Sequence, residues 1–258
     1  MIRIFVGCPA NNEDLESQAV LEWSLRKHAS EPLVITFMKL SKDPASFWYS
    51  SAERKAGWLT QSWATPFSGF RWGIPAFCNF EGRAIYLDVD MIAMADIAEL
   101  WNQEIRGPAF CIAKDQNTFC TTLWDCAKAK AHLPPIGRIK GEYALYAHLR
   151  RKFPPTAVQR FEGGNWNCLD GEQYKDIRDP DIKILHYTSI PTQPQLRYAV
   201  PRLAAGGAKH WSAHRYQPKP HWRPDIIDLF DEVLDDAKAN GYPPERYATK
   251  ETFGRYFR

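Results

Sequence analysis

Two aspartates spaced two residues apart, Asp88 and Asp90, follow the apolar run Ala84-Ile85-Tyr86-Leu87. Such a run reads as a strand buried on both faces. Carboxylates resist burial unless they are paired or bound to metal, so the strand is expected to surface at the two aspartates. Side chains at i and i+2 of an extended chain point the same way. Both carboxylates then converge at the carboxyl end of a sheet strand, where open α/β folds place their ligands. Hard oxygen donors of this kind suit Mg²⁺ or Mn²⁺. The alternative is a solvated turn, since Asp-x-Asp is a short pattern. A second candidate is His186, at the end of the apolar run Ile182-Lys183-Ile184-Leu185. Histidine at a strand end is either a satisfied structural residue or, here, the group that completes a metal site with the aspartates.

Several elements must position these side chains. Ile2–Gly7 reads as a strand, Asp14–His28 as a helix and Leu33–Met38 as a second strand. This is a βαβ unit with a parallel, right-handed crossover. Its first loop, Cys8-Pro9-Ala10-Asn11-Asn12, carries turn chemistry at a standard nucleotide position. Residues 41–67 are aromatic but aperiodic and read as irregular structure over a sheet edge. Phe67–Cys78 reads as helical in its second half, and it delivers Arg71 one element before the Asp-x-Asp strand. Arg71 is either a surface salt-bridge partner or a contact for phosphate or carboxylate.

Beyond Asp90 the pattern predicts a short helix at Ile97–Trp101, strands at Phe110–Ala113 and Thr121–Trp124, and helices at Asp125–His132 and Gly141–Phe153. A strand is expected over Asp181–Tyr187. Residues 200–223 are basic and aromatic, and read either as an arm for an anionic acceptor or lipid headgroups or as a solvated connector. Pro224 opens a helix with Ile226, Ile227, Phe230, Val233, Leu234 and Ala237 on one face and Gly241 as its stop.

Composition narrows the class. At 258 residues with 45% hydrophobic and 24% charged content, the chain reads as an ordinary globular protein with a sizeable core. A net charge of +3 gives no argument for nucleic acid as a partner. Ten tryptophans and eleven tyrosines lean towards flat ligands such as sugars and bases, although aromatics mostly fill cores. The six cysteines form no CxxC pair and read as reduced core residues of a cytoplasmic protein. No secretory leader is expected, and no run of about 18 apolar residues offers a membrane span.

The phrase Gly82-Arg83-Ala84-Ile85-Tyr86-Leu87-Asp88-Val89-Asp90, with the βαβ start, resembles the nucleotide-sugar glycosyltransferases of the GT-A fold, in particular glycosyltransferase family 8. Ser24-Leu25-Arg26-Lys27-His28 resembles the end of that family's first helix, and His186-Tyr187-Thr188 with Pro194 its carboxyl-terminal His segment. The resemblance covers about residues 2–198. It implies a Rossmann-like α/β domain with a mixed, mainly parallel central sheet over residues 1–200. Residues 201–258 would form a C-terminal helical extension, a basic, aromatic segment and an amphipathic helix packed on that domain. It also implies transfer of a sugar from a UDP-sugar to a hydroxyl of a glycan or lipid-linked acceptor, with retention, and with peripheral membrane contact allowed.

The resemblance implies roles as well. Asp88, Asp90 and His186 would hold Mn²⁺ (or Mg²⁺) against the diphosphate, with Asp90 also placed among the catalytic residues. Gly7, Cys8, Pro9 and Asn11 would hold uracil and ribose, with Val89 beside them, and Ser68 and Arg71 would contact sugar or phosphate. Glu142 would stand in for the family's Asp-Gln pair. The chain departs from the family pattern at two further places. Gln193-Pro194-Gln195 replaces Lys-Pro-Trp, and Cys120-Thr121-Thr122 replaces Asn-Ser-Gly. Two rivals stand beside this reading. One is a sugar nucleotidyltransferase, disfavoured because the first loop lacks a glycine-rich triphosphate signature. The other is a degenerate transferase fold that only binds nucleotide or sugar.

Overall fold

The computed structural model describes residues 1–257, except for the side chain of Arg150. Residue 258, the end of the expected C-terminal region, lies outside the described residues. The expected βαβ unit is β1 (Ile2–Gly7), α1 (Leu15–His28) and β2 (Leu33–Met38), with Ile2 opposite Leu33 and Gly7 opposite Met38 in parallel register. A 3-10 turn at Phe70–Gly73 runs into α2 (Ile74–Phe77) and leads to β3 (Arg83–Asp88), β4 (Met91–Ala93) and α3 (Ile97–Trp101). Next come the hairpin β5 (Cys111–Asp115) and β6 (Thr118–Asp125) and helices α4 (Cys126–Ala129), α5 (Ile136–Gly141) and α6 (Tyr143–Lys152). Strands β7 (Val158–Arg160), β8 (Cys168–Leu169) and β9 (Ile184–His186) precede helices α7 (Leu196–Ala205) and α8 (Pro224–Ala239).

The central sheet runs β2-β1-β3-β6-β5-β7. Its β1–β2, β1–β3 and β5–β7 pairs are parallel and its β3–β6 and β5–β6 pairs antiparallel. This is the mixed, mainly parallel α/β architecture expected. A second sheet runs β4-β9-β8. Val89 and Asp90 are thus the link by which the chain leaves the central sheet at β3 and enters the smaller one at β4. Met91 lies opposite His186 there, and the Tyr187 amide donates to the Asp90 carbonyl at 2.9 Å. The crossing between sheets brings a histidine from near residue 190 beside two aspartates from near residue 90.

The helix expected over Asp125–His132 is only Cys126–Ala129, the strands expected at Phe110–Ala113 and Thr121–Trp124 lengthen into the β5–β6 hairpin, and two further elements differ from the sequence expectation. The strand expected over Asp181–Tyr187 is paired only at Ile184–His186, because Asp179 captures the amides of Asp181 and Ile182 in a turn. The helix expected over Gly141–Phe153 breaks at Glu142, whose extended backbone (φ −104°, ψ 106°) separates α5 from α6. Residues 41–67 are irregular as expected and act as an aromatic wall. Trp48 stacks on Trp58 at 5.7 Å, and Trp63 meets Phe70 edge-on at 5.3 Å. All six cysteines are free.

The C-terminal segment straps the loop after β1. Asn11 donates to the Gly254 carbonyl at 2.8 Å and accepts from the Phe253 amide at 2.7 Å, and Asn12 makes the same exchange with Thr249. Both asparagines hold φ of 58°, the left-handed region that asparagine tolerates better than most side chains. Tyr256 reaches deepest: its hydroxyl accepts from the Ala10 amide at 2.8 Å and donates to Glu13. Burial holds the Glu13 carboxyl well above its usual pKa, with the Tyr256 hydrogen bond working the other way.

The folded chain therefore keeps a proton on Glu13 that the unfolded chain releases near pH 4.3. The contribution of Glu13 to stability is fully present below that pH and falls by about 1.4 kcal/mol per unit as pH rises towards the folded-state value. Glu13→Gln is expected to remove this slope, as read by urea denaturation at a series of pH values. An unchanged slope would exclude Glu13 as its source.

Candidate active site

At the carboxyl end of β3, Tyr86 and Asp88 point the same way, as i and i+2 of a strand must. The Tyr86 hydroxyl donates to Asp88 Oδ1. Arg71, brought in by the turn before α2, donates through Nη2 to Asp88 Oδ1 at 3.0 Å and Oδ2 at 3.3 Å. Its guanidinium lies over the Tyr86 ring, 4.7 Å from the centroid, and its Nε is held by the Ser68 carbonyl. Arg71 is thus a buried partner of Asp88 and not a surface ion pair. Burial disfavours its charge, but the Asp88 carboxylate outweighs that and holds its pKa above the usual value.

Asp90 and His186 close the other side. His186 Nδ1 is 2.8 Å from Asn167 Oδ1, which accepts from it and turns Nε2 towards the two aspartates. Nε2 lies 3.4 Å from Asp90 Oδ1 and 3.9 Å from Asp88 Oδ2. Asp90 Oδ2 accepts from Gln193 Nε2 at 2.5 Å, while Asp90 Oδ1 is buried with no hydrogen-bond partner. A buried carboxylate oxygen without a donor is costly. Burial raises the Asp90 pKa, with the His186 charge acting against it. His186 is pulled down by burial and up by Asp90 and Asp88, and the carboxylates prevail.

These groups line a cleft of about 250 Å³, together with Ser68, Cys120, Tyr146 and Thr188. Of the residues expected in the site, Ser68, Arg71, Asp88, Asp90 and His186 converge on it. Ser68 Oγ is 2.8 Å from the Tyr146 hydroxyl. Val89 does not line the cleft, its side chain being fully buried. Gly7 lies beneath Tyr86: a Cβ there would sit 2.6 Å from the Tyr86 hydroxyl, so glycine lets tyrosine reach Asp88. Cys8 and Pro9 are buried, and Asn11 is committed to the C-terminal strap. None of these three lines the cleft. Glu142 is exposed on the start of α6, paired with Arg138, and is also outside it.

Three contributors were not foreseen from sequence. Gln193 holds Asp90, Asn167 orients His186, and Cys120 faces the cleft from β6. Among the described residues, Asp88, Cys120 and His186 offer donor atoms all within 4.8 Å of one another, a set able to hold a metal ion. The free Nε2 and the orphaned Asp90 oxygen suit the same purpose.

No family model matches the chain, and no curated protein does either. Solved structures do. The fold is similar to that of the galactosyltransferase LgtC in complex with donor and acceptor sugar analogues, at 13% identity and TM-score 0.54, over 92% of this chain and 96% of that one. It is similar to the bifunctional glycosyltransferase WbbM in its apo form, at 12% identity and TM-score 0.54, over 90% of this chain and 49% of that one. It is also similar to the glycosyltransferase GlyE of Streptococcus pneumoniae, at 16% identity and TM-score 0.50, over 98% of this chain and 67% of that one. The chain therefore has the GT-A type of α/β fold. Among the described residues no helix is long and apolar enough to cross a membrane.

Proposed function

We propose that this chain is a metal-dependent glycosyltransferase that moves a sugar from a UDP-sugar to a hydroxyl of a glycan or lipid-linked acceptor. The observation that carries the reading is the convergence of Asp88, Asp90 and His186, from two different sheets, on one cleft in a fold shared with sugar transferases. A divalent cation bound there, Mn²⁺ or Mg²⁺ by the family resemblance, would offset the charge that builds on the departing diphosphate. The residues themselves bind and orient. Arg71 fixes Asp88, Asn167 fixes His186, and Gln193 fixes Asp90. Tyr146 and Ser68 offer hydroxyls to a sugar at the opposite wall.

Among the described residues, Asp88 and Asp90 are the carboxylates that line the cleft, and both are assigned here to the cation. A double displacement needs a free carboxylate at the anomeric carbon. The site therefore favours same-face transfer with retention, in which the leaving phosphate takes the acceptor proton.

The test is thermal unfolding with UDP, with and without Mn²⁺. At a hundredfold excess over Kd, binding stabilises the fold by about 2.7 kcal/mol, which raises Tm by several degrees. The response should need metal and should vanish in Asp90→Ala. A UDP response independent of metal, or none, would refute the reading. A second reading, a nucleotide- or sugar-binding protein without turnover, draws support from the clamp of Arg71 and Tyr86 on Asp88, which holds one metal candidate back. Slow hydrolysis of a UDP-sugar would separate the two.

A further inference from the structure

We propose that Cys120 is a ligand of the cleft's metal ion, which makes the centre thiophilic: it takes Zn²⁺ or Co²⁺ through Cys120, His186 and Asp88, with Asp90 Oδ1 beside them, 3.4 Å from His186 Nε2. The inference rests on the reading of the cleft as a metal site but not on sugar transfer.

The register places the thiol. Strands β3 and β6 pair antiparallel, with Tyr86 opposite Thr122 and Leu87 opposite Thr121. One step beyond that ladder, Cys120 falls across from Asp88. Side chains directly opposite on antiparallel strands share a face, so the thiol is carried to the carboxylate by the sheet itself. Cys120 is the one cysteine that is not fully buried, and it lines the cleft. Its Sγ lies 3.7 Å from Arg71 Nη1, a cation that favours the thiolate.

Donor chemistry and charge agree. Thiolate, imidazole and carboxylate together form a set typical of zinc, whereas Mn²⁺ and Mg²⁺ prefer oxygen. Zinc bonds are about 2.0–2.3 Å long. Donor atoms up to 4.8 Å apart therefore need to draw together by about an ångström, which a partly buried cysteine can supply by turning about χ1. Nε2 of His186 is already aimed by Asn167, and Asp90, a residue 7% exposed, has a buried Oδ1 with no hydrogen-bond partner. Two carboxylates and one thiolate against one guanidinium and one divalent ion leave the buried site neutral. A bound thiolate requires that the Cys120 S–H bond breaks as the metal–sulfur bond forms, the proton leaving to solvent.

The experiment titrates Co²⁺ into the metal-free full chain and records its absorption. A near-ultraviolet thiolate-to-cobalt charge-transfer band is expected. It should vanish in both Cys120→Ser and Cys120→Ala while the visible cobalt bands persist, and it should survive in Cys8→Ser, which removes the neighbouring buried thiol. By competition, both Cys120 variants should lose more than about tenfold in Zn²⁺ affinity, the scale on which even an outer partner's loss is felt, with Mn²⁺ affinity kept. Cobalt binding without the charge-transfer band, no cobalt binding, or an equal loss of Zn²⁺ and Mn²⁺ affinity would overturn the proposal. So would loss of the band in Cys8→Ser instead. A wild-type chain that lacks the band yet keeps the metal-linked UDP response overturns thiol ligation alone and leaves sugar transfer standing.

Discussion

Arg71→Met is expected to destabilise the metal-free fold by about 3–5 kcal/mol, the range for removing one partner of a buried ion pair. Arg71 and Asp88 are both buried, and the guanidinium makes two contacts to the carboxylate. With methionine in its place, Asp88 keeps only the Tyr86 hydroxyl and faces Asp90 across the cleft with no cation on its own side. Desolvation is then uncompensated, and the fold bears the cost. The double variant Arg71→Met with Asp88→Leu removes both charges, and is expected to recover most of the loss because matched apolar replacements of buried pairs are often near neutral. Urea denaturation of wild type, both single variants and the double variant gives the coupling energy. A loss under about 1 kcal/mol in Arg71→Met would mean that the pair is screened like a surface one. The positioning of the first aspartate would then need another explanation.

Tyr256→Ala is expected to cost about 3–5 kcal/mol, the range for truncating a buried aromatic ring. Tyr256 is 1% exposed, and its hydroxyl serves the Ala10 amide and the Glu13 carboxyl together. Tyr256→Phe keeps the ring and leaves that amide without its acceptor, a loss of about 1–3 kcal/mol. The difference between the two variants separates packing from hydrogen bonding. If neither variant shifts the urea midpoint, the strap over the loop after β1 contributes no stability, and Asn11 and Asn12 would be free to meet a ligand.

The strap also shows what the letters of the loop after β1 leave open. Pro9, Asn11 and Asn12 carry turn chemistry, which is local and visible in the letters. What occupies those turns is a segment 246 residues away at the Ala10–Tyr256 contact, and no local pattern encodes a partner at that distance. Arg71 shows the same division. Its place one element before the aspartates is legible, but its burial follows from Tyr86, Asp88 and Cys120, which the pairing of β3 with β6 brings to it. Glu142 was placed by analogy with a family pair. The chain breaks its helix there and turns the carboxylate out to Arg138.

The sequence by itself determined the elements whose physics is local. Apolar runs made β1, β2 and β3, and the two-residue spacing aimed Asp88 and Asp90 to one side. The strand-end position of His186 was also visible in the letters. The tertiary structure alone decided what meets them. It routed the chain from one sheet to another at Val89-Asp90, set Cys120 across from Asp88, and brought Gln193 and Asn167 to hold the remaining donors. The reason is the range of the forces. Backbone geometry fixes the direction of a side chain within two residues, whereas its partner is chosen by sheet order and burial, which the whole chain settles together.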